Sequence, residues 1–234
     1  MPRVVTNAFN LQVIYEDNHL LVINKRVGDI VQGDKTNDPP LSEIIKAYLK
    51  KKYDKPGEVF LGVIHRLDRP TSGIVVFAKT SKALSRMNQL FQEKKIDKTY
   101  WALVKENPPK QNDTLIHWLK KNPKTNTSKV YPKEVNGSKK AILHYNTIFK
   151  LDAYNLLEIT LETGRSHQIR SQLSYIGCPI KGDLKYGFNR SNPDGGIHLH
   201  AKKIKFIHPV SKTPITVSAK PPEDVLWDEC LKKY

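Results

Sequence analysis

The stretch His65-Arg66-Leu67-Asp68-Arg69-Pro70-Thr71-Ser72-Gly73-Ile74-Val75-Val76-Phe77-Ala78-Lys79 decides how this chain reads. It sets one carboxylate, Asp68, between Arg66 and Arg69, and follows it with a Pro-Thr-Ser-Gly turn and an apolar run. The run is rich in β-branched and aromatic residues, so residues 73–79 predict a strand. Nearby cations favour the charged form of an acid, so Asp68 is expected to stay ionised. A carboxylate on a loop held by a rigid strand is where a nucleophile is commonly found. Taken alone, an Asp-Arg dipeptide more often describes a surface ion pair. The rest of the chain must decide.

Working outward, residues 11–15 and 19–25 are apolar-rich runs joined by Glu16-Asp17-Asn18, which predicts a hairpin. Residues 31–40 form a turn-rich polar loop. Residues 41–52 place Leu41, Ile44, Ile45, Tyr48 and Leu49 on one helical face. Ser81 reads as the N-cap of a helix to about residue 95, with Leu84, Met87, Leu90 and Phe91 turned inward. Residues 99–104 and 142–149 read as strands. Between them lies a basic stretch: residues 110–150 carry nine Lys/Arg against two acids. Residues 156–161 alternate as a half-buried strand, 166–176 as a helix, and strands near 203–207 and 215–218 close the chain before Pro221-Pro222. Strands and helices mix without regular alternation, so the expected class is α+β, with a mixed, largely antiparallel central sheet and flanking helices. No repeat, low-complexity tract or domain boundary interrupts it, which predicts a single domain over residues 1–234.

The chain has 234 residues and a formal charge of +16. Residues 1–60 hold nine Lys/Arg against eight acids, whereas 61–234 hold thirty against fifteen, so nearly all the excess lies in the second part. That asymmetry points to a polyanion partner. No basic amphipathic helix with a wide apolar face appears, so nucleic acid is preferred to a membrane surface. Cys178 and Cys230 lack metal or redox spacing and read as free thiols of a reducing compartment. The N-terminal residues lack the apolar core of a signal peptide, and no run of about 18 apolar residues occurs. A cytoplasmic location is expected.

Three further clusters accompany the Asp68 loop. Lys98-Thr99-Tyr100-Trp101-Ala102-Leu103-Val104 is a strand opening on an aromatic pair. Glu162-Thr163-Gly164-Arg165-Ser166-His167-Gln168-Ile169-Arg170 is a Gly-containing turn leading into a helix. Gly177-Cys178-Pro179-Ile180-Lys181-Gly182-Asp183-Leu184-Lys185-Tyr186-Gly187 is a loop punctuated by Gly and Pro. Singly, each has a structural reading: Tyr100 as a core aromatic, Arg170 as a helix-surface charge, the glycines as turn formers.

In this order and at this spacing, the four clusters resemble the RluA-type pseudouridine synthases, over residues of about 11–217. The resemblance implies the pseudouridine synthase fold and the isomerisation of uridine in RNA to pseudouridine. The glycosidic C–N bond breaks and the ribose rejoins carbon 5 of the same uracil, without cofactor or metal. It further implies that Asp68 starts the reaction, as nucleophile or as base, with both routes open. Arg170 would be the cationic partner that keeps that carboxylate charged. Tyr100 would stack on the uracil and assist proton removal from carbon 5, and Ile169 would line the base pocket. Arg66 would fill the gap left by the target base, because a stacked base must be flipped out before its glycosidic bond is reachable.

His65, Arg69 and Arg165 complete the candidate substrate-binding set. His65 reads chiefly as a residue that holds the loop by hydrogen bonding. Lys79, Lys82, Lys181 and Lys185 join Arg165 as candidate phosphate contacts, while residues 124–140 suit an RNA-contacting loop and a soluble insertion equally. His198, His200 and His208 have no companion set for a tetrahedral metal site, so no metal is expected. The family's N-terminal RNA-binding extension has no room before residue 11, so target choice would fall to the catalytic domain or a partner. The expected substrate is transfer RNA, ribosomal RNA or both, bound by a monomer with no stable protein partner. An RNA-binding module without chemistry needs only the basic surface, and a hydrolase using Asp68 with His65 or His167 needs a second activated group that no motif supplies.

Overall fold

A computed structural model describes residues 4–34 and 36–234. Lys35, inside the expected 31–40 loop, and the first three residues lie outside them. The chain forms two compact units, the first built from residues up to Ile96 with Ala201–Pro221, the second from Asp97–His200 with Pro222–Tyr234. Each contains segments distant in sequence, so no linker composition marks where one gives way to the other.

The first unit is organised on β4 (Ser72–Ala78), every residue of which is buried. Its β-branched and aromatic run suits a strand covered on both faces. It pairs antiparallel with β2 (Leu20–Lys25), setting Phe77 opposite Leu21 and Val75 opposite Ile23. These four join α1 (Leu41–Lys52) through Leu41, Ile45 and Leu49 in one apolar cluster. β1 (Val13–Glu16) pairs with β2 as the hairpin signal predicts, and the two-residue β3 (Gly62–Val63) pairs with the end of β4. α1 begins without a side-chain cap. Its first N–H groups go instead to loop carbonyls, Leu41 to Ile30 at 2.8 Å and Ser42 to Val31 at 3.3 Å.

α2 (Ser81–Gln92) corrects the expected cap by one residue. Thr80, not Ser81, is extended and accepts the Ala83 N–H at 3.1 Å, and the helix stops three residues earlier than expected. β10 (Leu199–Ile207) begins in the second unit at Leu199 and His200, continues in the first from Ala201, and pairs antiparallel with β11 (Pro214–Ser218). Gly73 has φ +111°, and a Cβ there would lie 2.4 Å from the Ala201 carbonyl oxygen. Only glycine serves at this point.

Glu16 ties three elements of this unit together. Its carboxylate accepts from Lys52 and Tyr53 at 2.7 Å, Lys79 at 2.8 Å and Tyr48 at 3.0 Å. Burial alone would raise this carboxyl, but the four hydrogen bonds outweigh it and hold it at about 2, from an ordinary 4.5.

In the second unit the strands lie in the order β5 (Asp97–Val104), β9 (Asn155–Leu161), β8 (Lys139–Lys150), β6 (Asn112–Asn122) and β7 (Thr127–Tyr131), every neighbouring pair antiparallel. β6 and β7 lie inside the basic stretch, where no strand was expected. Lys120, Lys121, Lys124 and Lys129 hide the alternation that Leu115, Leu119 and Ser128 keep on the buried side. α3 (Gln168–Tyr175) packs on β6 and β7. α4 (Val225–Lys233), also not foreseen, is capped by Asp224, which accepts from Leu226 and Trp227. Its Trp227 and Cys230 join Trp101, Leu103 and Leu156 in the core of this unit. Cys178 and Cys230 are free and buried, and burial pushes their thiols up to about 11 and about 12.

Gly73→Ala should cost about 3 kcal/mol or more in urea unfolding, since it meets both a positive φ and a backbone oxygen. Gly57→Ala, which adds a Cβ to open space, should stay within about 0.5 kcal/mol. The Glu16 carboxyl is depressed on folding, so its stabilisation is present above an ordinary carboxyl pKa and is lost as pH falls from about 4.5 towards about 2. Glu16→Gln should therefore flatten the fall of Tm with pH across that window, and an unchanged profile would remove Glu16 from the account.

Candidate active site

Asp68 stands on the connection between β3 and β4, half-buried, with its carbonyl accepting the Thr71 N–H at 3.0 Å. The next carbonyl, of Arg69, is held by the Gly28 N–H at 2.8 Å and the buried Lys25 ammonium at 3.1 Å. His65 accepts the Val76 N–H of β4 at Nε2, 3.1 Å away, and its ring rests 5.2 Å from that of Phe91. An Nε2 that accepts carries no proton, so this ring braces the loop against the central strand. The loop that carries Asp68 is thus fixed at three points.

The flanking arginines diverge. Arg69 turns to Asp38, with which it forms an ion pair, and to the Thr36 hydroxyl at 3.2 Å. Its charge is met by Asp38 rather than devoted to Asp68. Arg66 is exposed.

In the second unit, Tyr100 is 8% exposed on β5 and sits opposite Ile159 of β9. Lys98, two residues earlier on the same strand, lies over the Gly164 turn, where a Cβ would come 3.7 Å from its ammonium. Burial pushes the Lys98 ammonium below its ordinary pKa. Ile169 and Arg170 stand on α3, 5% and 4% exposed.

Arg170 is clamped. Its Nε and Nη2 donate to the two carboxylate oxygens of Asp183 at 2.7 and 2.8 Å, and its guanidinium lies 5.0 Å from the Tyr186 ring centre. This is a fork-to-fork charge-assisted pair, the strongest hydrogen-bonding geometry an arginine makes. The Tyr186 hydroxyl accepts the Ser128 N–H at 2.8 Å and lies 2.8 Å from His167 Nδ1. His167 itself, at φ 53°, starts α3.

Ahead of it, the Gln168 side chain accepts from the Thr163 hydroxyl and the Arg165 N–H and donates to the Ile142 carbonyl. Arg165 is exposed, its Nε on the Lys140 carbonyl at 2.9 Å. Asp183 and Tyr186 had no role assigned from the sequence. Their signal was present in the quoted loop: an acid beside Gly182, whose φ of +89° lets the chain turn, and an aromatic three residues on.

A separate cavity of about 560 Å³ in this unit is lined by Lys105, Tyr154, Lys181, Phe188, Arg190 and Asn192, and includes neither Tyr100 nor Arg170. Along its wall, Lys181 donates to Asn192, Asn192 to His198 Nδ1, and His198 Nε2 bonds Asp224 at 2.9 Å. Of the histidines considered for a metal, His198 is engaged as above and His208 lies 2.9 Å from Asp17. Among the described residues, no group of three or more His, Cys, Asp or Glu is placed to hold a metal ion.

A model of the RNA pseudouridylate synthase family matches residues 19–175. The chain is 30% identical over 242 residues to ribosomal large subunit pseudouridine synthase D of Xylella fastidiosa, covering 96% of this chain and 71% of that protein. It is 33% identical over 232 residues to ribosomal large subunit pseudouridine synthase C of Buchnera aphidicola, covering 96% and 70%. Among solved structures, human RNA pseudouridylate synthase domain containing 4 superposes with a TM-score of 0.77 at 22% identity, covering 95% of this chain and 92% of that one, a likeness of fold. The chain belongs to the RNA pseudouridylate synthase family. It is an enzyme that isomerises uridine in RNA to pseudouridine. Its fold is of the expected class, α+β with a mostly antiparallel sheet.

The Arg170 clamp makes a prediction of its own. Asp183→Asn keeps the shape but removes the charge from a buried pair, and should cost about 3 kcal/mol in urea unfolding. Tyr186→Phe should cost less, about 1–2 kcal/mol, since it deprives the Ser128 N–H and His167 of a neutral partner rather than a charged one. Equal stability of Asp183→Asn and wild type would show that the pair does not hold the site.

Proposed function

We propose that this enzyme modifies uridine in large-subunit ribosomal RNA, with Asp68, Tyr100 and Arg170 as its catalytic residues. The target is argued from relatives named for that RNA, at 30–33% identity over 96% of the chain. The observation that carries the catalytic reading is the Arg170 clamp: a cation 4% exposed, oriented by Asp183 and Tyr186, one residue after a buried Ile169. A charge held in that way is preorganised to stabilise a carboxylate in a water-poor site.

The target base is flipped out of its stack, at a cost of a few kcal/mol, offset by Arg66 in the vacated space and by phosphate contacts at Arg165 and neighbouring lysines. Asp68 then opens the reaction, as nucleophile or as base. The bond between ribose carbon 1′ and uracil N1 breaks, and the uracil turns to present carbon 5. A carbon–carbon bond forms to carbon 1′, carbon 5 gives up its proton, and N1 gains one, so the product is an isomer of the substrate. Tyr100 stacks on the uracil, and its hydroxyl assists the proton leaving carbon 5. Ile169 lines the base pocket, while His65 and Arg69 position the Asp68 loop.

The reading includes a single catalytic domain acting as a monomer, without cofactor or stable protein partner. The place of reaction is the cytoplasm. No helix among the described residues is long and apolar enough to cross a membrane.

The test is tritium release from RNA labelled at carbon 5 of uridine, with ribosomal and transfer RNA as separate substrates. Wild type should release tritium from ribosomal RNA. Asp68→Asn should release none while binding RNA within a few-fold of wild type. Release from transfer RNA alone would move the target, and turnover by Asp68→Asn would remove Asp68 from the mechanism.

A further inference from the structure

The end of the β6–β7 hairpin, the loop after it and the first two residues of β8 carry Lys120, Lys121, Lys124, Lys129, Lys133, Lys139 and Lys140 against the single acid Glu134. All seven lysines are exposed. The segment is regular structure: the two strands are joined by a turn at 123–126 and packed by α3. Register sets Lys120 directly opposite Lys129. Like charges at such a position destabilise a sheet by roughly 0.2–1 kcal/mol, so the fold bears a repulsion that a bound anion would remove. Two of the lysines lie over rings, Lys129 5.3 Å from the Tyr131 centre and Lys140 5.9 Å from that of Trp118.

The hairpin is fastened to the candidate site. Ser128, 5% exposed and flanked by Thr127 and Lys129, gives its N–H to the Tyr186 hydroxyl at 2.8 Å and its hydroxyl to the Ser166 carbonyl at 2.6 Å. Tyr186 in turn lies beneath the Arg170 guanidinium. An anion held on the lysines therefore stands at a fixed place relative to Arg170.

We propose that this hairpin is an RNA-anchoring arm, which grips the phosphate backbone away from the target nucleotide and holds the RNA in register with the site. The occupant is argued from charge complementarity and from that attachment, and it rests on the reading of the protein as an RNA-modifying enzyme. Affinity for phosphate comes with counterion release, so each lysine that neutralises a phosphate contributes about 0.7–0.9 to the slope of log K against log salt.

The experiment measures equilibrium binding of ribosomal RNA between 50 and 200 mM salt, roughly the range over which such contacts show. It compares Lys120→Ala/Lys124→Ala/Lys129→Ala with Lys50→Ala/Lys51→Ala/Lys55→Ala, which removes equal charge from the exposed end of α1 and the loop after it. Both are made in the Asp68→Asn background, so the result does not depend on turnover. The hairpin triple should lower the slope by about 2–3 and the affinity at least tenfold, while the α1 triple moves the slope by less than about 1. The hairpin triple should also melt no lower than its parent, because it relieves the Lys120–Lys129 repulsion.

In the active protein it should raise KM and leave kcat at saturating RNA unchanged. Equal slopes for the two triples would mean diffuse attraction and would overturn the arm. The same hairpin dependence towards polyglutamate as towards RNA would overturn the choice of RNA. Absence of tritium release from every RNA would refute the proposed target while leaving the slopes to decide the arm.

Discussion

A guanidinium that is 4% exposed persists in a folded protein only if its charge is met, and the arrangement around Arg170 in the second unit follows from that requirement. Asp183 meets the charge with both oxygens, which fixes the loop after Ile180, and Gly182 is there because the chain must turn at positive φ to deliver that carboxylate. Tyr186 closes the other side of the guanidinium, and its hydroxyl draws in Ser128 and His167. One buried charge thus orders a loop, the start of α3 and the root of a hairpin. None of these groups gains its position from local propensity.

The first unit solves a different problem, that of holding an acid on a short connection without letting it wander. The Asp68 loop runs into a strand with no exposed residue, and His65 and the Arg69 carbonyl pin it to β4 and to the end of β2. Rigid support of this kind is what a reacting group needs, since a displacement of about 1 Å can cost a hundredfold in rate. The divergence of Arg69 to Asp38 shows that proximity in sequence does not settle which charges meet. Adjacent side chains point apart as readily as together.

Much of the fold was legible. α1 falls on its expected residues because its apolar spacing has one helical answer, and β2, β4, β5 and β9 follow from runs of β-branched and aromatic residues between turn signals. What failed did so for identifiable reasons. β6 and β7 were masked by lysines that occupy the exposed positions and spill to both sides of the turn. The cap of α2 moved by one residue because Thr80 and Ser81 are both capping residues, and only the backbone angles distinguish them. α4 was missed although Asp224 followed by Trp227, Cys230 and Leu231 carries a cap and an apolar face, since a nine-residue helix after Pro221-Pro222 gives little periodicity.

For the site, the residue types and their order are legible along the chain: an acid in a Pro-Thr-Ser-Gly context, an aromatic pair opening a strand, an arginine closing a Gly-containing turn, and a Gly/Pro loop. That order was enough to reach the family, because four spaced motifs seldom agree by chance. Tertiary structure alone decided which groups satisfy one another. The pairing of Arg170 with Asp183, the seat of Tyr186 beneath it, the turn of Arg69 towards Asp38, and the opposition of Lys120 to Lys129 across a hairpin all join residues whose separation in the chain carries no trace of the contact. A sequence records propensity residue by residue, whereas the energy of a buried charge depends on what the fold brings beside it.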